Sequence, residues 1–176
     1  NSIRNVSMDE PYAGICGITK DELLTKMSVD IEDLAKTLGL TTEKTIAELK
    51  DNYDGYHFCW PSPDVFNPFS LLNCFADGKM SSYWFASGTP TCLIEKMREF
   101  NVKPSQLGEI RATEASFDTA TESMTSLTPL LYQSGYLTIK DYDERLDVYT
   151  LDIPNREIRV GLFDSLLPGY LKSDID

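Results

Sequence analysis

The feature that most constrains this chain is the recurrence of helix start and stop signals along it. Thr19-Lys20-Asp21-Glu22 has the form of a capping box, in which Thr19 and Glu22 satisfy each other's orphan backbone donors. It predicts a helix to about Met27. Asp30 to Leu38 carries Ile31, Leu34, Ala35 and Leu38 at helical spacing and stops at Gly39. A third helix begins near Thr41–Thr42 and sets Ile46, Leu49 and Tyr53 on one face. Asn67-Pro68 opens a fourth, with Asn as cap and Pro at the first helical position. Phe69, Leu72 and Phe75 are expected to face inward there, and Gly78 to end it. Thr89-Pro90 repeats the device ahead of a stripe of Leu93, Ile94, Met97 and Phe100.

Beyond residue 100 the pattern changes. Residues 101–126 show weak periodicity and many Ser and Thr. Leu127, Leu130 and Leu131 then suggest a short helix ended by Gly135. Residues 136–140 and 146–151 alternate with period two about Asp143-Glu144-Arg145, a hairpin signal. Pro154-Asn155 closes the second strand and caps a last helix with Ile158, Leu162 and Leu166 on its buried face. The expected class is mainly α, within α+β. A helical lid-like bundle over 1–100 is followed by a winged-helix-like unit with a β-hairpin over 101–170. Residues 171–176 read as a tail leading to a further C-terminal domain.

Charge narrows the partners. With 28 acidic against 16 basic side chains, the net charge is −12. Phosphate backbones reward clustered Lys and Arg, so nucleic-acid binding by this chain alone is disfavoured. Nine Tyr, eight Phe and two Trp supply large packing units for a core. Cys16, Cys59, Cys74 and Cys92 fit no CxxC metal spacing and read as free, buried thiols of a reducing cytoplasm. No signal-peptide apolar region and no apolar run near 18 residues occurs, so no membrane partner is expected. The chain opens Asn1-Ser2-Ile3-Arg4 without an initiator Met, and the expectation is a piece of a longer protein.

The chemistry-bearing motifs are few. No GxxxxGK[ST] string is present, and hence no phosphate-cradling loop with its Lys. His57 is the only histidine; a packed, hydrogen-bonded role suits it better than catalysis, and nucleophilic triads lack spaced partners. Pro63-Asp64 followed by Asp77-Gly78-Lys79 spells the PD…(D/E)xK string of metal-dependent nucleases. That chemistry needs its carboxylates on adjacent strands, and a helix is expected between these two, so the string reads as coincidence. Tyr53-Asp-Gly-Tyr-His-Phe-Cys-Trp60 is the densest stretch. Its rings plug a gap between helical layers, or Asp54, Tyr56 and His57 project polar tips toward a neighbouring nucleotide. Gly88-Thr89-Pro90 offers free N–H groups at a helix start, as a plain cap or an anion site. The hairpin tip Asp141-Tyr-Asp-Glu-Arg145 is acidic, unlike a DNA-reading wing.

Together these blocks resemble one family. Asn1 to Asp9, Ile15-Cys-Gly-Ile-Thr19, Tyr53-Asp-Gly-Tyr-His-Phe58, Phe66 to Asn73, Tyr83-Trp-Phe-Ala-Ser-Gly-Thr-Pro90, Leu131-Tyr-Gln-Ser-Gly-Tyr-Leu137 and Pro154-Asn-Arg-Glu157 are similar to the conserved blocks of the Bacteroides-type AAA-ATPase-like proteins. The resemblance implies a P-loop core upstream, this helical and winged-helix-like region, and a PD-(D/E)xK nuclease-like domain downstream. It implies no catalytic residue here and no metal or cofactor of this chain's own, with ATP and Mg²⁺ belonging to the full-length protein. The partners implied are the chain's own ATPase core and nuclease-like domain. Tyr53, Asp54, Tyr56, His57 and Thr89 are the nucleotide-sensing candidates. The competing expectation is a protein-interaction or homo-oligomerising module without nucleotide dependence.

Overall fold

The computed structural model describes Gly14, 16–87, 91–100, Val102, 107–118 and 126–173. The expected class holds: the chain is mainly α with two small antiparallel sheets.

The first half is built by the caps. Thr19 accepts from Glu22 N, and the Glu22 carboxylate returns to Thr19 N at 3.0 Å, opening α1 (Lys20–Lys26). α2 (Ser28–Leu38) starts two residues earlier than its apolar spacing suggests and ends on Gly39, whose φ of 67° is the left-handed stop. Thr41 caps α3 (Thr42–Tyr53). A two-stranded pairing joins β1 (Ile18–Thr19) to β2 (Val65–Phe66). Asn67 then caps α4 (Pro68–Asp77), with Pro68 at its first position and Gly78 at its end. Leu23, Ile31, Leu34, Leu49, Tyr53, Phe66, Leu71 and Cys74 form the core these elements share.

The face that α4 buries is not the expected one. Ser70, Leu71 and Cys74 point inward, while Phe69 and Leu72 are 42% and 52% exposed. Hydrophobicity alone favours the Phe face. The helix is rotated because Ser70 Oγ donates to the buried Glu157 carboxylate at 3.0 Å, a partner 87 residues away that makes a buried hydroxyl tolerable.

A short helix, α5 (Tyr83–Ala86), leads to α6 (Thr91–Glu99), on which Leu93 and Met97 are buried. Phe100 lies past the helix end and is 55% exposed, so it leaves the expected stripe. Residues 107–118 contain β3 (Ile110–Ala112) and α7 (Glu114–Phe117), neither visible in the periodicity. α8 (Thr128–Gln133) precedes the hairpin of β4 (Thr138–Asp143) and β5 (Val148–Asp152). β3 adds to β5, giving the strand order β3-β5-β4. α9 (Arg156–Ser173) continues through Pro168 and Gly169, so residues 171–173 are helix rather than tail. Phe117, Leu131, Ile139, Leu151, Ile158 and Leu162 centre a second core, which also takes Leu93 and Met97. α6 therefore packs with the elements after residue 100, and a division at that residue would cut this core.

Among the described residues, no helix is long and apolar enough to cross a membrane. Cys59 and Cys74 are buried, as expected of free thiols, whereas Cys16 is exposed.

Candidate functional site

The two cores meet along a polar seam, and the segment from Tyr53 to His57 runs through it. Tyr53 itself is turned into the first core. Its hydroxyl donates to Ser81 O and accepts from Ser81 N, both at 2.9 Å, so its polar tip is used inside the fold. Asp54 and His57 are 3% and 6% exposed. Thr89, the remaining candidate with Tyr56, lies outside the described residues.

Each seam residue is held from the second half of the chain. Asn155 Nδ2 donates to Asp54 O at 3.0 Å, while Asn155 Oδ1 caps α9 by accepting from Ile158 N. His57 N donates to Thr138 Oγ1 and Thr138 Oγ1 donates back to His57 O, at 2.8 and 2.9 Å. The Lys140 ammonium donates to Gly55 O and reaches Pro154 O at 3.4 Å. Burial holds Lys140 below the ordinary lysine range, with Asp64, Asp152 and Asp54 pulling it back up. Tyr56 pairs through its backbone with Val65, and its buried hydroxyl lies beside the Asn67 and Asn155 side chains.

Three side chains in this region have the residue types of a nucleophilic relay. His57 Nε2 lies 2.6 Å from Asp64 Oδ1, and His57 Nδ1 lies 3.0 Å from Ser62 Oγ. Ser62 also reaches Cys59 O at 2.9 Å, and all three residues fall within one eight-residue turn containing the cis Trp60–Pro61 bond. Ser62 fits the role of a turn residue that locks the imidazole, whose ring also meets that of Trp60 at 59°, centroids 5.0 Å apart. This is the packed, hydrogen-bonded histidine that the aromatic turn suggests. Asp64 is thus engaged with His57, and Asp77 is the last residue of the helix α4 rather than part of a strand. Among the described residues, no group of three His, Cys, Asp or Glu side chains converges as a metal ion needs.

Glu157 is the second feature of the seam. It is 2% exposed, and one oxygen accepts from Ser70 Oγ at 3.0 Å and Trp84 N at 2.6 Å. Phe85 N–H also points at this carboxylate, while Oε2 has no partner. Burial pushes its pKa above the usual glutamate range, with these donors opposing the rise. α5 has no cap of its own, since Ser82 makes no side-chain cap bond. A carboxylate on α9 caps it instead.

Two clefts flank the seam. An aromatic one of about 410 Å³ is lined by Phe58, Phe69, Trp84 and Tyr132. A polar one of about 640 Å³ is lined by Lys50, Asp54, Asp64, Lys140, Arg156 and Arg159. Sequence reasoning found Asp54 and missed Lys140, Asn155 and Glu157. The signal was present in Pro154-Asn-Arg-Glu157 and in Lys140, which follows the buried run Tyr136 to Ile139.

The chain is similar to an uncharacterized protein of the vnfD 5′ region of Azotobacter chroococcum mcd 1. The two are 30% identical over 174 residues, which is 97% of this chain and 31% of that protein. The chain thus spans about a third of its relative's length. No family model matches the chain. No solved structure matches it either.

Replacing Lys140 by Met tests the seam directly. The two carbonyls lose their donor inside the fold, and the expected loss of stability is about 2 kcal/mol. A denaturant midpoint unchanged in Lys140→Met would show that the ammonium contributes nothing there.

Proposed function

We propose that this chain is a non-catalytic coupling region of a longer cytoplasmic ATPase-like protein, carrying a helical lid-like part and a winged-helix-like part between a nucleotide-binding core and a nuclease-like domain. The observation that carries this reading is the seam. Asp54 to His57 of one core are bonded to Thr138, Lys140 and Asn155 of the other, so a displacement of either core is transmitted to its neighbour. The winged-helix-like part is supported by topology: α6, β3, α7, α8, then a hairpin, with β3 placed beside β5. The relative's greater length leaves room for both flanking parts. In this reading ATP and Mg²⁺ bind the upstream core, and the nucleotide state reaches the seam through Asp54 and His57.

The test is calorimetry of this chain with ATP and Mg²⁺. Tight binding is not expected, because the phosphate loop is not among these residues. Submicromolar binding to the chain alone would overturn the placement of the nucleotide site upstream.

A second reading, a self-association module, is favoured by exposed apolar side chains. Val160 and Phe163 are 42% and 37% exposed, one turn apart on α9, and Leu72 is exposed on α4. A concentration-dependent dimer in sedimentation is its expected result. A monomer at millimolar concentration that keeps its fold counts against it.

A further inference from the structure

We infer that α5 is a latch, a single turn that opens as a unit ahead of either core and whose closed position is fixed by contacts from the second half of the chain. It belongs to this chain alone, beyond the coupling role, and needs no flanking domain.

The turn cannot hold itself. Tyr83–Ala86 is four residues long, far below the roughly 12 at which an isolated helix becomes even marginally stable in water. Its own bonds are Ala86 N to Ser82 O and Ser87 N to Tyr83 O, both at 3.0 Å. Ser82 supplies no side-chain cap, and none of the four side chains is fully buried.

Three contacts hold it shut. Glu157 on α9 accepts from Trp84 N at 2.6 Å, with Phe85 N directed at the same carboxylate. Gly161 stands four residues further along α9, on the same face as Glu157. The Phe85 ring lies on its bare backbone: a Cβ there would stand 2.8 Å from Phe85 Cδ1 and closer still to two other ring carbons. Glycine is a poor residue for a helix interior, and this one serves as the seat of a ring. The third contact is Trp84 Nε1, which donates to Ser134 O at 3.3 Å. All three are made to groups outside α5, so their loss leaves one unsupported helical turn. Release is therefore concerted, and it precedes the opening of α4 and α9, which have buried side chains of their own.

The closed latch shapes the aromatic cleft. The Trp84 and Phe69 rings, 5.9 Å apart at 72°, both line that cleft of about 410 Å³. Release carries Trp84 away from Phe69 and uncovers α9 at Gly161, so the position of α5 sets the width of the cleft.

The test is native-state hydrogen exchange of the intact chain, read at single amides. Trp84 N and Phe85 N are shielded by the Glu157 carboxylate, so their exchange reports the latch. In the unsubstituted chain they should exchange roughly a hundredfold faster than the Leu71 and Leu162 amides, at rates that low denaturant barely changes, as local opening requires. Gly161→Ala should speed Trp84 and Phe85 roughly tenfold further, while Leu162 keeps or gains protection because α9 has lost a helix-interior glycine. The first measurement needs no substitution. Trp84 and Phe85 amides exchanging no faster than that of Leu162 would overturn the latch, since α5 would then open only with the cores. A Gly161→Ala chain in which their rates are unchanged, or in which Leu162 accelerates as much as Trp84, would overturn it as well.

Discussion

Glu157→Ala is expected to destabilise the chain by about 4 kcal/mol, read as a lower denaturant midpoint. The substitution strips a buried acceptor from Ser70 Oγ, Trp84 N and Phe85 N at once, and leaves a void where the side chain was. It also uncaps α5, which has no substitute in Ser82. Glu157→Gln keeps one acceptor oxygen and nearly the same volume, so its cost is expected to be only about 1 kcal/mol. The two variants separate the hydrogen bonds from the charge. A Glu157→Ala chain as stable as Glu157→Gln would show that the three donors find other partners.

The same residue sets a pH dependence. Its folded pKa is raised, so between the unfolded value of about 4.5 and the folded value the native chain binds more protons than the unfolded one. The contribution of Glu157 is therefore greatest below pH about 4.5 and is lost as pH rises through the folded pKa. Asp54, raised by burial, acts in the same direction. Glu157→Gln should flatten the Glu157 part of this slope. A slope identical in Glu157→Gln and the unsubstituted chain would remove Glu157 from the account.

Gly55→Ala is expected to cost about 4 kcal/mol. The residue has a φ of 94°, which side chains rarely adopt. An added Cβ would stand 2.9 Å from Lys140 Nζ and closer still to Pro154 O, a backbone atom that has no rotamer with which to retreat. Gly39→Ala is the comparison. It also has positive φ, at 67°, but nothing lies within 4 Å of its Cβ, so about 1 kcal/mol of backbone strain is all that is expected. Comparable midpoints for the two variants would mean that the seam opens to admit the methyl group without loss.

The legible part of this fold was the locally encoded part. Caps at Thr19, Thr41 and Asn67, stops at Gly39 and Gly78, and the period-two hairpin each depend on residues a few positions apart. The face of α4 was not legible, because Ser70 is buried by a partner on α9. β3 is a three-residue strand whose place is set by pairing with β5, too short to show a period. At the site, Asp54 and His57 were visible as polar residues in an aromatic turn. What they touch was not, since Thr138, Lys140 and Asn155 are chosen by packing rather than spacing.

The seam has a kinetic corollary. Its bonds join residues 81, 85, 87 and 101 positions apart, so each closes a long loop before any reward is gained. Helices α1 to α4 and the β4–β5 hairpin need no such closure. The joining of the two halves is therefore expected after the helices and the hairpin have formed. Substitutions along it should mainly accelerate unfolding and leave the refolding limb of a chevron nearly unchanged.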